Sequence, residues 1–129
     1  MVVDTIERHF ERLRQAPGYE RAVLHRRGDG TAVLEVPDVV LPPGWNAPST
    51  TVYVLVPVGY PVAKPDCFWA SEQLRLAHGG MPTNTAINSN LGEPQPKLWF
   101  SFHPASWAAN SDDLYTYLKV VRRRLADVR

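Results

Sequence analysis

Residues 51–69 read Thr51-Val52-Tyr53-Val54-Leu55-Val56-Pro57-Val58-Gly59-Tyr60-Pro61-Val62-Ala63-Lys64-Pro65-Asp66-Cys67-Phe68-Trp69. Thr51 to Val58 is almost continuously apolar and β-branched, the pattern of a central strand buried on both faces. Tyr60-Pro61 and Lys64-Pro65 then hold the chain extended, because each proline ring restricts the residue before it. Asp66 to Trp69 gives a short further strand. The apolar run from Val52 to Ala63 is only about a dozen residues long and is broken by Pro57, Gly59 and Pro61, too short to cross a bilayer.

Upstream, Tyr19 to Arg27 and Thr31 to Val40 are two β-prone runs separated by Gly28-Asp29-Gly30, residues that tolerate the positive φ of a tight turn. With Thr51 to Val58 and Asp66 to Trp69 they predict a four-stranded antiparallel meander. In front of it, Asp4 and Glu7 have capping-box spacing. Ile6, Phe10 and Leu13 recur at i, i+4 and i+7, predicting a helix over 5–15 that Pro17-Gly18 stops. Its other face carries Arg8, Glu11, Arg12 and Arg14, which read first as a solvated surface.

Downstream, Ala70 to Lys97 dissolves into Gly, Pro, Asn and Thr, a stretch long enough to read as a functional surface loop. Trp99 to His103 alternates large apolar residues with Ser101. Asn110 or Ser111 then caps a last helix on which Leu114, Tyr117, Leu118, Val121 and Leu125 share one face. Arg122, Arg123 and Arg124 near its end complement the helix dipole. The class is therefore α+β.

The chain has 129 residues and a net charge of +1, which fits one domain, 1–129. No basic surplus drives it to phosphate backbones, so nucleic acid is not expected as a partner. The first residues hold acids where a secretory signal holds a basic cluster, so a cytoplasmic protein without membrane attachment is expected. A single cysteine, Cys67, excludes an internal disulfide and a thiolate cluster. The four histidines lack ligand-like spacing, and no phosphate-binding glycine loop is present, so neither metal nor cofactor is expected.

The order helix, meander, proline-rich crossing, irregular loop, tryptophan, helix resembles the layout of the ubiquitin-conjugating (UBC) fold. Gly59-Tyr60-Pro61, Lys64-Pro65, Phe68-Trp69 and Trp107 before the final helix carry the likeness. More narrowly, Pro65-Asp66-Cys67-Phe68-Trp69 and Phe100-Ser101-Phe102-His103 resemble two segments of a prokaryotic branch of that superfamily, family E, the first being one residue shorter here. The resemblance implies a partner set of a ubiquitin-like protein, an adenylating activating enzyme and an operon-encoded peptidase, with a role in antiphage defence. It also implies that the first helix, through Arg8, Glu11 and Arg12, docks the activating enzyme.

The chain departs from the superfamily in two places. It has one helix after the tryptophan where eukaryotic relatives add more, and it lacks the His-Pro-Asn triplet before the catalytic cysteine. Counting back from Trp107 by the family's usual interval lands on Trp99 to Ser101, where there is no sulfur. Ser101 is then the candidate nucleophile. If Trp99 to His103 is extended, Ser101 and His103 project from one face and the imidazole can act as general base. Cys67, a lone thiol among aromatics, reads first as a small buried hydrophobe and stands as the alternative nucleophile. Asn84 or Asn88 could supply an amide to an oxyanion.

Two functions follow. One is a transferase that takes a ubiquitin-like C-terminus as an oxyester on Ser101 and passes it to a target. The other is a non-catalytic UBC-like module that binds a ubiquitin-like protein or activating enzyme through its surface.

Overall fold

The computed structural model describes residues 4–129. Its elements are α1 (Thr5–Arg14), β1 (Val23–Arg26), β2 (Ala32–Val40), β3 (Ser49–Val56), β4 (Phe68–Ala70), β5 (Thr85–Asn88), β6 (Lys97–Phe100) and α2 (Leu114–Ala126). The six strands form one antiparallel sheet in the order β1-β2-β3-β4-β6-β5. The expected four-stranded meander is present as β1 to β4. It is extended by β6, which pairs with β4 through Phe68↔Phe100 and Trp69↔Trp99, and by β5 at the edge.

Both helices lie against one face of the sheet. Phe10 and Leu13 of α1 and Leu114, Tyr117, Leu118, Val121 and Leu125 of α2 are buried with Leu34, Val36, Val52, Val54, Val56, Phe68, Leu98 and Phe100. Ile6, also expected in the core, is partly buried against it. Phe68 and Phe100 stack with ring centroids 4.6 Å apart in the middle of this core, a contact that adds to their buried area.

The opposite face carries no helix. Val33, Trp69 and Leu91 are buried there beneath the partly buried Tyr53, Leu55 and Trp99. β3 consequently alternates buried and half-buried residues along its length. This corrects the expectation of a strand buried on both faces: Tyr53 and Leu55 are only partly buried, against Val33, Trp69 and Leu91, with Lys97 over the Tyr53 ring.

The helix ends differ from expectation at one point. Asp4 caps α1, accepting from the Glu7 amide at 2.9 Å. The cap of α2 is neither Asn110 nor Ser111 but Asp113, which accepts from the Thr116 amide while the Thr116 hydroxyl accepts from the Asp113 amide. Ser111 and Asp112 instead turn back, both amides donating to the Ala108 carbonyl. That turn consumes the donors a helix starting at 111 would leave open. Likewise Tyr19 and Ala22, expected in the first strand, lie in a turn whose amides donate to Ala16 and Tyr19.

Three side chains tie the irregular segments to this frame. The indole of Trp107 donates to the Pro61 carbonyl at 2.8 Å, and that of Trp45 to the Leu125 carbonyl at 2.9 Å. Buried Arg124 donates to the carbonyls of Thr83, Asp127 and Arg129. No described helix is long and apolar enough to cross a membrane.

Candidate functional site

β4 and β6 run side by side, and extending their register by one pair beyond Phe68↔Phe100 brings Cys67 opposite Ser101. The two candidate nucleophiles are therefore neighbours at one end of the sheet, although 34 positions separate their numbers in the chain. The strands themselves stop short of both residues. β6 ends at Phe100, so Ser101 to His103 is not the regular strand that would place Ser101 and His103 on one face.

The local backbone is held from several sides. Cys67 has φ of 59°, in the left-handed region, a conformation that costs a non-glycine residue energy and persists only where its surroundings fix it. Here its amide donates to the Phe102 carbonyl at 3.2 Å, and its carbonyl accepts from the buried Tyr117 hydroxyl at 2.6 Å. Ser101 is fixed from the other side, its amide donating to the Asn84 carbonyl at 2.9 Å. Asn84 is itself left-handed, with φ of 56°.

His103 is exposed, and its Nδ1 is hydrogen-bonded to Oδ1 of Asp66. A carboxylate on one ring nitrogen fixes the orientation of an imidazole and leaves the other nitrogen to face a partner. Asp66 is thus the residue that the pattern of nucleophile and base did not reveal. The only signal for it in the sequence was its place in the Pro65 to Trp69 segment, 37 positions from its partner. No hydrogen bond joins the Ser101 hydroxyl to His103. One donor atom each of Asp66, Cys67 and His103 lie within 4.8 Å of one another, so the thiol stands close to the imidazole pair.

Cys67 is nearly covered, with 8% of its surface exposed. Burial pushes its thiol upward from the ordinary value, against the pull of the Phe102 and Trp99 hydrogen bonds. That is the environment of a resting thiol, not of a preformed thiolate. Ser101 is more open, being half-buried.

Of the two amides, only Asn84 is at this end of the sheet. Asn88 pairs with Lys97 at the far end of β5. Its side-chain oxygen already accepts from the Trp69 indole and the Asn90 amide, both at 3.1 Å. Asn84 remains exposed beside Ser101.

The three α1 residues lie away from this cluster. Arg8 is exposed and donates to Thr5 Oγ1 at 3.1 Å, and Glu11 pairs with Arg14 at 3.3 Å. Arg12 is bound to Asp113 at the start of α2, so its charge is partly committed to the fold. Arg8, His9 and Arg12 line a polar cavity with Pro61 and Asn110 to Asp112, beneath which Tyr60 and His9 meet at 2.6 Å.

Comparison with curated proteins and with solved structures finds no match. A comparison with protein families does: the family described as Prokaryotic E2 family E matches residues 19–128, from the turn before β1 to the end of α2. That span includes every residue of the β4–β6 cluster, and with the α+β architecture and its sheet order it settles the relationship: the chain belongs to prokaryotic E2 family E.

Proposed function

We propose that this protein accepts the C-terminus of a ubiquitin-like protein from an adenylating activating enzyme, holds it as an oxyester on Ser101, and passes it to a target. Membership of an E2 family points to ubiquitin-like conjugation in general. The observation that carries the finer reading is the His103–Asp66 pair at the end of β6, next to a half-buried serine.

The chemistry is acyl transfer. Ser101 Oγ attacks the carbonyl carbon of the activated C-terminus while His103 removes the hydroxyl proton, which a serine at its own acidity cannot release. The ester C–O bond forms as the bond to the activating enzyme's leaving group breaks. That group departs with the proton His103 took up. Asp66 holds the imidazole in place, and the Asn84 amide would donate to the oxyanion. An alkoxide leaves less readily than a thiolate, so the loaded protein would transfer more slowly than a thioester-bearing relative. A peptidase encoded alongside, removing or processing the ubiquitin-like protein, and a role in antiphage defence complete this reading.

A thioester on Cys67 is a second reading, favoured by the closeness of its sulfur to the imidazole pair. A binding module without chemistry is a third, favoured by the resting thiol and by the missing hydrogen bond between Ser101 and His103. One gel assay divides them. Incubated with the activating enzyme, ATP and the ubiquitin-like protein, the protein should form an adduct that survives thiol reductant and is cleaved by mild base. A reductant-sensitive adduct would move the acyl group to Cys67, and absence of any adduct would leave the binding module.

A further inference from the structure

We infer that Asp66, Cys67 and His103 form a binding site for a thiophilic divalent cation of the zinc type. Spacing in the sequence hides it, because the third donor lies 36 positions from the second, in the segment that follows β6. The fold closes that gap: one oxygen, one sulfur and one ring nitrogen lie within 4.8 Å of one another.

The donor set selects the ion. A thiolate with an imidazole suits zinc and its neighbours, whereas magnesium and calcium take oxygen shells. Bonds of about 2.0 to 2.3 Å at tetrahedral angles place donors about 3.5 Å apart. Bringing the three atoms to that spacing asks the Asp66 and His103 side chains to part from their mutual hydrogen bond and the sulfur to stay. Both are more than half exposed, at 54% and 58%, so solvent leaves them room to turn once that bond is released. The Cys67 backbone is held on both sides by Tyr117 and Phe102, so its sulfur can adjust only by turning about its own side-chain bond.

Charge also closes. A thiolate, a carboxylate and a neutral imidazole around a divalent ion sum to zero, so a partly buried site carries no net charge. On binding, the sulfur–hydrogen bond breaks, the proton goes to solvent and the sulfur–metal bond replaces it. Three protein donors leave a fourth position for water or an incoming group.

Cobalt(II) tests this without any transfer assay. Added to chelator-treated protein, one equivalent should give the visible bands of a tetrahedral ion with a thiolate-to-cobalt charge-transfer band, and zinc should displace it. Cys67→Ser should lose the charge-transfer band. His103→Ala, at an exposed position where folding is not at stake, should weaken binding by about 100-fold or more. His25→Ala, at an exposed histidine on β1, should bind as wild type does. Wild-type protein that shows no sulfur band, or a His103→Ala protein that binds cobalt undiminished, overturns the site. So does loss of binding on changing His25.

Discussion

Arg12 Nη1 lies 3.1 Å from Oδ2 of Asp113, the same carboxylate whose other oxygen caps α2 by accepting from the Thr116 amide. One buried acid therefore starts the second helix and anchors the first. The bridge runs between an acid that is 9% exposed and an arginine that is 60% exposed, so the arginine is replaceable in energy but not in sign.

Charge reversal on α1 should accordingly give two different results. Arg8→Glu is expected to slow capture by the activating enzyme at low ionic strength and to leave the melting temperature unchanged, since a rim charge sets association rate more than fold. Arg12→Glu sets a carboxylate against Asp113 and should cost about 1–2 kcal/mol of stability as well. Stopped-flow association and thermal melts on the two variants separate docking from folding. Equal association rates for wild type and Arg8→Glu would remove α1 from the interface.

The nucleophile is resolved by four substitutions. Ser101→Ala should abolish the covalent adduct, and Cys67→Ala should leave it in place with a small loss of stability. His103→Ala should slow its formation by roughly 10²–10⁴-fold, the usual contribution of a positioned base. Ser101→Cys should yield an adduct that thiol reductant removes. If Asp66 acts through His103, it should show a graded response, with Asp66→Asn slow and Asp66→Glu partly restored. Adduct loss in Cys67→Ala alone would transfer the chemistry to the sulfur.

Leu118→Ala should destabilise by about 2–5 kcal/mol, the range for emptying a buried leucine site. Leu118 is 2% exposed and packs between the sheet and α1. Urea unfolding monitored at the tryptophans reads it directly, and a shift below about 1 kcal/mol would contradict the packing.

His9 gives the fold a pH dependence. Burial pushes its pKa below 6.5, with the Arg12 and Arg8 charges acting in the same direction and Asp113 opposing. The folded protein thus holds His9 neutral where the unfolded chain would protonate it. The unfolded state binds the extra proton, so stability is full above about pH 6.5 and declines as pH falls below it toward the folded value. His9→Gln should flatten the difference in denaturation midpoint between pH 7.5 and 5.5; an unchanged slope would place the titration elsewhere.

Helix faces and the first strands were legible because each rests on local periodicity: Phe10 with Leu13, Leu114 with Leu118, Val52 with Val54 and Val56. β5 was not, since Thr85-Ala86-Ile87-Asn88 is too short and too polar to read as a strand until β6 is there to pair with it. The cap at Asp113 was missed because Asn110 and Ser111 are equally good caps by composition, and only the turn onto Ala108 decides among them. Of the candidate site, Ser101 and His103 stand out as candidates from their own segment. The pairing of Asp66 with His103 and the adjacency of Cys67 do not, because both depend on segments brought together across some 35 residues, for which local pattern holds no signal.

The grip of Arg124 bears on how the protein can be handled. Its guanidinium holds the carbonyls of Asp127 and Arg129 together with that of Thr83, and the Arg129 carbonyl in turn accepts from the Thr83 amide. Thr83 immediately precedes Asn84, whose carbonyl fixes Ser101. Residues 127–129 are thus a strut under the end of the sheet that holds Ser101. Removing the guanidinium, as in Arg124→Ala, would release that strut and, through Thr83 and Asn84, slacken the backbone that carries Ser101.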